Sequence, residues 1–143
     1  MSLEEEIYFE IKDAGGYLRV VPVKLGYTEK DWGITIIDVN VIVNAFPFNC
    51  NAGVKFTLED FIGLYDDLEK LNNDFSASLK FSNFEYDLQF SIQGDSIGQF
   101  TTNIQVFGGR FNSQLDFELR FDQSHISEML RQLYTIIKKF KTV

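Results

Sequence analysis

The sequence predicts an α+β domain in which mostly antiparallel sheet packs against two amphipathic helices. Eight short segments alternate apolar and polar residues, which is the period of a strand with one buried face. Two further segments repeat apolar residues at helical spacing. The connections between neighbouring strands are short, as antiparallel pairing allows. Four strands precede each helix, so the order is ββββα-ββββα.

The first half of the chain supplies four of the predicted strands. Pro22 lies inside the second strand, and because proline cannot donate to a strand ladder, we expect that strand at a sheet edge. The fourth strand alternates without a break from Phe46 to Phe56 and runs directly into a helix. The four strands are predicted at residues 7–12, 17–25, 32–43 and 46–56, with turns or loops at 13–16, 26–31 and 44–45.

The first helix is predicted over residues 56–71. Thr57 is the expected N-cap, because its hydroxyl can accept a hydrogen bond from a free backbone N–H of the first turn. Asp60 stands at the reciprocal position of a capping box, and Phe56 and Phe61 stand at the positions of a hydrophobic staple. The expected apolar face comprises Leu58, Phe61, Ile62, Leu64, Tyr65, Leu68 and Leu71, and the opposite face comprises Glu59, Gly63, Asp66, Asp67 and Lys70.

The second half of the chain repeats this order. Asp122 is the expected cap of a second helix, whose apolar stripe runs from Ile126 to Phe140. Phe121 and Ile126 stand at staple positions, as in the first helix. We predict a single domain over residues 1–143, since no linker or low-complexity segment divides the chain. The four strands of this half are predicted at residues 75–81, 88–92, 100–106 and 115–121.

The charge balance bears on the class of partner. The chain carries 21 acidic and 13 basic side chains, for a formal net charge of −8. An acidic surface repels nucleic-acid phosphates and anionic membranes, so neither is an expected partner. It favours a basic protein, whose approach it would accelerate. The alternative that the charge serves only solubility stays open.

The sequence predicts a cytoplasmic location. Its single cysteine, Cys50, excludes an internal disulfide and fits a reducing compartment. The acidic residues 4–6 differ from a secretory signal, which begins with positive charge. No apolar run reaches the ~20 residues of a membrane span.

Catalytic residue types are present without a catalytic pattern. His125 is the only histidine, so mechanisms and metal sites that need two histidines are excluded. Ser124 and Ser127 are its neighbours, but adjacency in sequence is not triad geometry. Cys50 falls on the apolar face of its strand and is interpreted as a core residue. We predict that the protein is not an enzyme and uses no cofactor or metal.

Three segments carry a resemblance to a known family. Asp31-Trp32 opens a long apolar strand, residues 56–61 (Phe-Thr-Leu-Glu-Asp-Phe) open the first helix, and Asp122-Gln123-Ser124 joins the last strand to the last helix. In this order and spacing, over residues 30–140, the chain resembles the WapI-type immunity proteins of bacteria. The resemblance implies a cytoplasmic antitoxin that binds and neutralises the C-terminal domain of a contact-dependent polymorphic toxin, often a nuclease.

A nuclease presents positive charge to its substrate, so an acidic inhibitor complements it. We therefore place the expected partner surface on the acidic side of the first helix, at Glu59, Asp66, Asp67 and Glu69. Asp122 is explained as a cap and is not assigned to the partner. A typical interface takes ~800 Å² from each protein, so neighbouring loops are expected to contribute.

Two alternatives stay open. A curved sheet lined with phenylalanine can hold a small apolar ligand, although the two helices are expected to cover that face. Carboxylates are numerous enough to provide an acid–base pair. However, Glu59-Asp60 and Asp66-Asp67 lie on a helix, where adjacent side chains diverge. The sequence predicts no oligomeric state.

Overall fold

The computed structural model describes residues 6–29, 33–108 and 112–141. It contains two four-stranded antiparallel sheets and two α-helices, which confirms the predicted α+β class and the ββββα-ββββα order. The elements are β1 Phe9–Asp13, β2 Gly16–Glu29, β3 Ile34–Ala45, β4 Phe48–Thr57, α1 Leu58–Asn73, β5 Ser78–Ser82, β6 Leu88–Gly94, β7 Gln99–Gly108, β8 Ser113–Asp122, a 3₁₀ turn Gln123–His125 and α2 Ile126–Lys141.

Each sheet is a meander, because its strands pair in chain order. The first sheet has the order β1-β2-β3-β4, with Val41 opposite Val20 on one side and Ala52 on the other. The second has the order β5-β6-β7-β8, with Ile104 opposite Phe90 and Phe117. Short turns between sequential strands produce this arrangement.

One hydrophobic core takes residues from both sheets and both helices. The helices contact each other, α1 also contacts β3, β4 and β5, and α2 contacts β1. The stripe of α1 buries Phe61, Leu64, Leu68 and Leu71, and that of α2 buries Ile126, Met129, Leu133, Ile136 and Phe140. The helical spacing seen in the sequence therefore corresponds to the buried faces. Neither helix is long and apolar enough, over the part of the chain described, to cross a membrane.

The prediction of an edge position for the strand that contains Pro22 is wrong, because β2 lies between β1 and β3. The structure accommodates the proline in another way. β1 pairs with β2 only as far as Val20, and the pairing of β2 with β3 shifts register between Pro22 and Lys24. Pro22 therefore lies at a bulge beyond the end of β1, where its missing N–H breaks no bond to that strand.

The predicted strand ends also differ from the observed ones. β2 continues to Glu29, although the sequence predicts a loop from Gly26. β3 continues to Ala45, because Asn44 and Ala45 pair with both β2 and β4. The hairpin turn therefore falls at Phe46-Pro47, which a cis peptide bond joins, and not at residues 44–45. The sequence also predicts that β3 starts at Trp32 and that Gly108-Gly109 interrupts the strands of the second half. Trp32 and Gly109 lie outside the described residues.

Candidate protein-binding surface

The start of α1 forms as the sequence predicts. Thr57 Oγ1 accepts a hydrogen bond from the Asp60 N–H at 3.1 Å, and Asp60 Oδ2 accepts one from the Thr57 N–H at 2.8 Å. This is a complete capping box. The rings of Phe56 and Phe61 lie 4.9 Å apart between centroids, which confirms the staple. These local contacts fix the direction in which the acidic side of α1 points.

Asp60 also joins the two halves of the chain. Its Oδ2 atom accepts a second hydrogen bond, from the backbone N–H of Phe84 in the β5–β6 loop, at 3.0 Å. Burial raises the pKa of the Asp60 carboxyl, and the hydrogen bonds from Thr57 and Phe84 oppose that rise. Asp60 therefore has a structural role, and its carboxylate does not belong to the exposed acidic surface.

We expect Asp60→Asn to keep most of the stability that Asp60→Ala loses. Asparagine retains an oxygen that can accept from both N–H groups, whereas alanine leaves both unpaired and should cost about 1–2 kcal/mol. Folding raises the pKa of Asp60, so the protonated carboxyl adds stability that the ionised carboxylate does not. This added stability is present below the unfolded pKa of about 3.9 and is lost as pH rises through the folded pKa. Asparagine does not titrate, so the stability of the Asp60→Asn variant relative to wild type should increase with pH.

Urea unfolding of the wild type and of both variants at several pH values between 4 and 7 checks this expectation. An asparagine variant as unstable as the alanine variant at pH 7 would contradict it. A wild-type-to-asparagine difference that does not change with pH would contradict the role of the raised pKa.

The predicted partner residues do not form one flat face. Glu59, Asp66 and Glu69 are exposed, whereas Asp67 is half-buried. At 100° per residue, Glu59 and Asp66 lie on one stripe of α1. Asp67 and Glu69 lie on opposite flanks of that stripe, about 160° apart. The stripe that contains Glu59 and Asp66 is thus the part of α1 that a partner can reach directly.

A second candidate surface lies where the first sheet meets the second. An open cleft of about 500 Å³ separates the β1–β2 turn and Phe46 from Glu118 and Arg120 of β8. Asp13 lines this cleft, but its carboxylate is occupied, because Oδ2 accepts from the Arg120 N–H at 3.0 Å and Oδ1 accepts from the Gly15 N–H at 2.7 Å. Glu118 is exposed and pairs with Arg120 at 3.3 Å. The sequence does not predict this cleft, because its residues come from distant parts of the chain.

The residue types with catalytic potential do not form a catalytic arrangement. Ser124 Oγ and His125 Nδ1 both contact Asp122 Oδ1, so the serine is hydrogen-bonded to the carboxylate and not to the imidazole. These two contacts and the hydrogen bond from the Ser124 N–H lower the pKa of Asp122. Cys50 is half-buried, and burial raises the pKa of its thiol, which favours the unreactive protonated form. No group of three potential metal ligands occurs within the described ranges.

Asp122 differs in detail from its predicted role. It caps the 3₁₀ turn, accepting from the Ser124 N–H at 3.0 Å, and α2 itself begins at Ile126. The sequence predicts His125 in the first turn of the second helix, but it lies in the 3₁₀ turn. The imidazole is partly exposed and stands edge-on to the Phe121 ring, with 6.3 Å between ring centroids.

The aromatic side chains of the sheets pack against one another. Phe81 stacks on Phe90 with 4.9 Å between ring centroids, and Phe100 stacks on Phe121 at 5.3 Å. Phe56 contacts Phe81 as well as Phe61. A cleft of about 580 Å³ crosses β5–β8, and it opens to solvent among polar residues such as Gln89 and Asn103. The rings thus contribute to the core, and we do not propose the apolar-ligand alternative.

The structure is that of an α+β protein with two antiparallel sheets and two helices around one core. The chain belongs to the WapI-like immunity protein family, whose sequence pattern matches residues 8–141. This family is generally non-catalytic, and it implies a toxin as partner. No curated protein matches the chain.

Three solved structures share the fold at low sequence identity. MRP1/MRP2 of Trypanosoma bruciei has 12% identity and a TM-score of 0.52, covering 97% of this chain and 88% of that one. The plant transcriptional regulator PBF-2 has 8% identity and a TM-score of 0.54, covering 99% and 85%. WHY1 from Arabidopsis thaliana has 11% identity and a TM-score of 0.52, covering 98% and 88%. At these identities the likeness concerns the fold alone.

Proposed function

We propose that the protein binds a cognate polymorphic toxin domain in the cytoplasm and neutralises it by occupying its surface, without catalysis. The observation that carries this proposal is the family match over residues 8–141. An immunity protein of this kind acts as a stoichiometric inhibitor, so it needs a complementary surface and no reactive group. Co-expression tests the proposal: a toxin domain encoded beside this protein should arrest growth alone, and the protein should restore growth.

We further propose that the toxin is basic, as a nuclease would be. The net charge of −8 supports this, since opposite charges steer association and like charges oppose it. The same charge disfavours nucleic acid as a direct partner. The proposed partner surface is the acidic side of α1, centred on the exposed Glu59 and Asp66, with Asp67 and Glu69 at its flanks.

Reversing two charges on α1 is expected to slow association with the toxin. The double substitution Glu59→Lys and Asp66→Lys changes the net charge from −8 to −4, because each change adds two units. The association rate constant should fall about tenfold at low salt, and the difference from wild type should shrink as salt screens the charges. Stopped-flow mixing at several ionic strengths measures both effects.

The matched control is Asp116→Lys with Glu118→Lys. These exposed residues lie on β8, and the control makes the same change in net charge at a different surface. It should slow association less than the α1 pair does. Equal slowing by both pairs would mean that only net charge matters, and stronger slowing by the β8 pair would move the partner surface to the cleft beside Phe46.

A further inference from the structure

The outer edge of β4 is unlike the other sheet edges. Proteins protect exposed edges with charges, short strands or covering elements. α2 covers β1, since the Glu10 N–H donates to Gln132 Oε1 at 2.9 Å. β5 has only five residues and carries Lys80 at its centre. β8 carries Asp116 and Glu118. β4 has ten residues, and the part that runs to Val54 has none of these protections.

Charged residues are absent from a long segment that includes most of β4. Residues 39–54 contain no Asp, Glu, Lys or Arg, although 24% of the whole chain is charged. The apolar alternation of β4 predicts a buried face, but Phe46 is 88% exposed and Phe48 is 61% exposed. The alternation therefore continues beyond the end of the core. Along the strand, Asn49, Asn51 and Gly53 are exposed as well.

The backbone of β4 presents hydrogen-bonding groups at this edge. The Lys55 carbonyl accepts from Asn83 Nδ2 at 2.9 Å, and Asn83 lies outside the first sheet. The Lys55 carbonyl thus points away from β3. Because the backbone direction alternates along a strand, Asn49, Asn51 and Gly53 direct their N–H and C=O groups to the same side. No strand in the described residues pairs with them.

We propose that β4 pairs with β4 of a second copy of this chain, antiparallel and centred on Asn51. In this register Asn51 lies opposite Asn51, and Asn49 lies opposite Gly53. Every outward N–H and C=O of these three residues then finds a partner across the two-fold axis. The groups available at each end also limit the hydrogen-bonded ladder between the two copies to these residues. Pro47, which has no N–H, lies opposite Lys55, whose carbonyl is already bonded to Asn83.

Side chains and charge favour a second copy as the occupant. The register places the exposed Phe48 opposite Val54 of the second copy and Cys50 opposite Ala52, so apolar residues meet on one face. Two copies that each carry −8 repel each other over most orientations. The uncharged β4 edge lets them meet without opposing like charges. A basic toxin gains no electrostatic attraction from an uncharged strand, and the self-pairing stands independently of the toxin proposal.

Sedimentation equilibrium of the full chain tests this pairing. The mass should rise with concentration from 16.5 kDa towards twice that value. Asn51→Lys places two like charges opposite each other and should raise the dimer dissociation constant at least about tenfold, and Asn51→Asp should act in the same way. An equimolar mixture of the two variants should dimerise again, because opposite charges then meet. Asn103→Lys, an exposed change on β7, should leave the dimer intact.

Amide hydrogen exchange gives a residue-level readout. Exchange at Asn49, Asn51 and Gly53 should slow as the protein concentration rises. A mass of 16.5 kDa up to concentrations of about 1 mM would overturn the proposal. So would a dimer that Asn51→Lys leaves unchanged. If the chain stays monomeric and a toxin domain protects these amides, the toxin covers β4 and self-pairing is wrong.

Discussion

Replacing Phe61 by alanine is expected to lower the free energy of unfolding by about 3–5 kcal/mol. Phe61 is 0% exposed and contacts the Phe56 ring at 4.9 Å between centroids. It anchors the first turn of α1 in the core that both sheets share. Alanine removes the ring and leaves a cavity, because close-packed neighbours relax only in part. Urea unfolding followed by circular dichroism measures the change.

The matched control is the same substitution at an exposed phenylalanine. Phe46 is 88% exposed, so Phe46→Ala should change stability by no more than about 0.5 kcal/mol. Equal losses from the two substitutions would mean that Phe46 is as buried as Phe61, and would contradict this fold. A loss below about 1 kcal/mol at Phe61 would contradict its place in the core.

Asn83→Ala is expected to lower the free energy of unfolding by about 2–4 kcal/mol, because it leaves buried polar groups unpaired. Asn83 is 2% exposed. Its Oδ1 accepts from the Leu88 N–H at 2.9 Å, and its Nδ2 donates to the Lys55 carbonyl at 2.9 Å and to Asp87 Oδ1 at 2.5 Å. One side chain therefore shapes the β5–β6 loop and joins it to the end of β4.

Asn103→Ala is the control for this second stability prediction. Asn103 is exposed on β7, so its loss should cost no more than about 0.5 kcal/mol. Amide exchange at Leu88 should accelerate in Asn83→Ala, since that N–H loses its acceptor. Unchanged exchange at Leu88 would show that the N–H finds another acceptor, and would contradict the proposed cause of the instability.

Local interactions made part of this fold predictable from sequence. The capping box of Thr57 and Asp60 depends on residues three apart, so its sequence signature suffices to place the start of α1. The apolar stripes of both helices were predictable for the same reason, since helical spacing alone determines which side chains share a face. The strand alternation likewise predicted the order of elements and the antiparallel class.

Features that depend on distant residues were not predictable in this way. Pro22 is tolerated in a central strand because β1 ends its pairing with β2 at Val20. Phe46 is exposed because it lies beyond the end of the core, and the alternation of apolar residues does not show where the core ends. The roles of Asn83 and Asp13 need partners far along the chain, namely Lys55 for the first and Arg120 for the second.

The proposed partner surface was also predictable only in part. Helical spacing correctly placed Glu59 and Asp66 on the exposed side of α1. It did not predict that Asp67 is half-buried, because this depends on what packs against the flank of the helix. The cleft beside Glu118 forms only because β8 lies next to the β1–β2 turn in the fold.

Calorimetric titration of the full chain with the toxin domain encoded beside it tests the proposed immunity function. We expect nanomolar binding that weakens as salt is raised, because an acidic surface meets a basic one. An unrelated basic protein of similar charge, titrated in the same way, should bind far more weakly. Absence of binding by the folded protein would contradict the immunity function and leave the family likeness as one of fold.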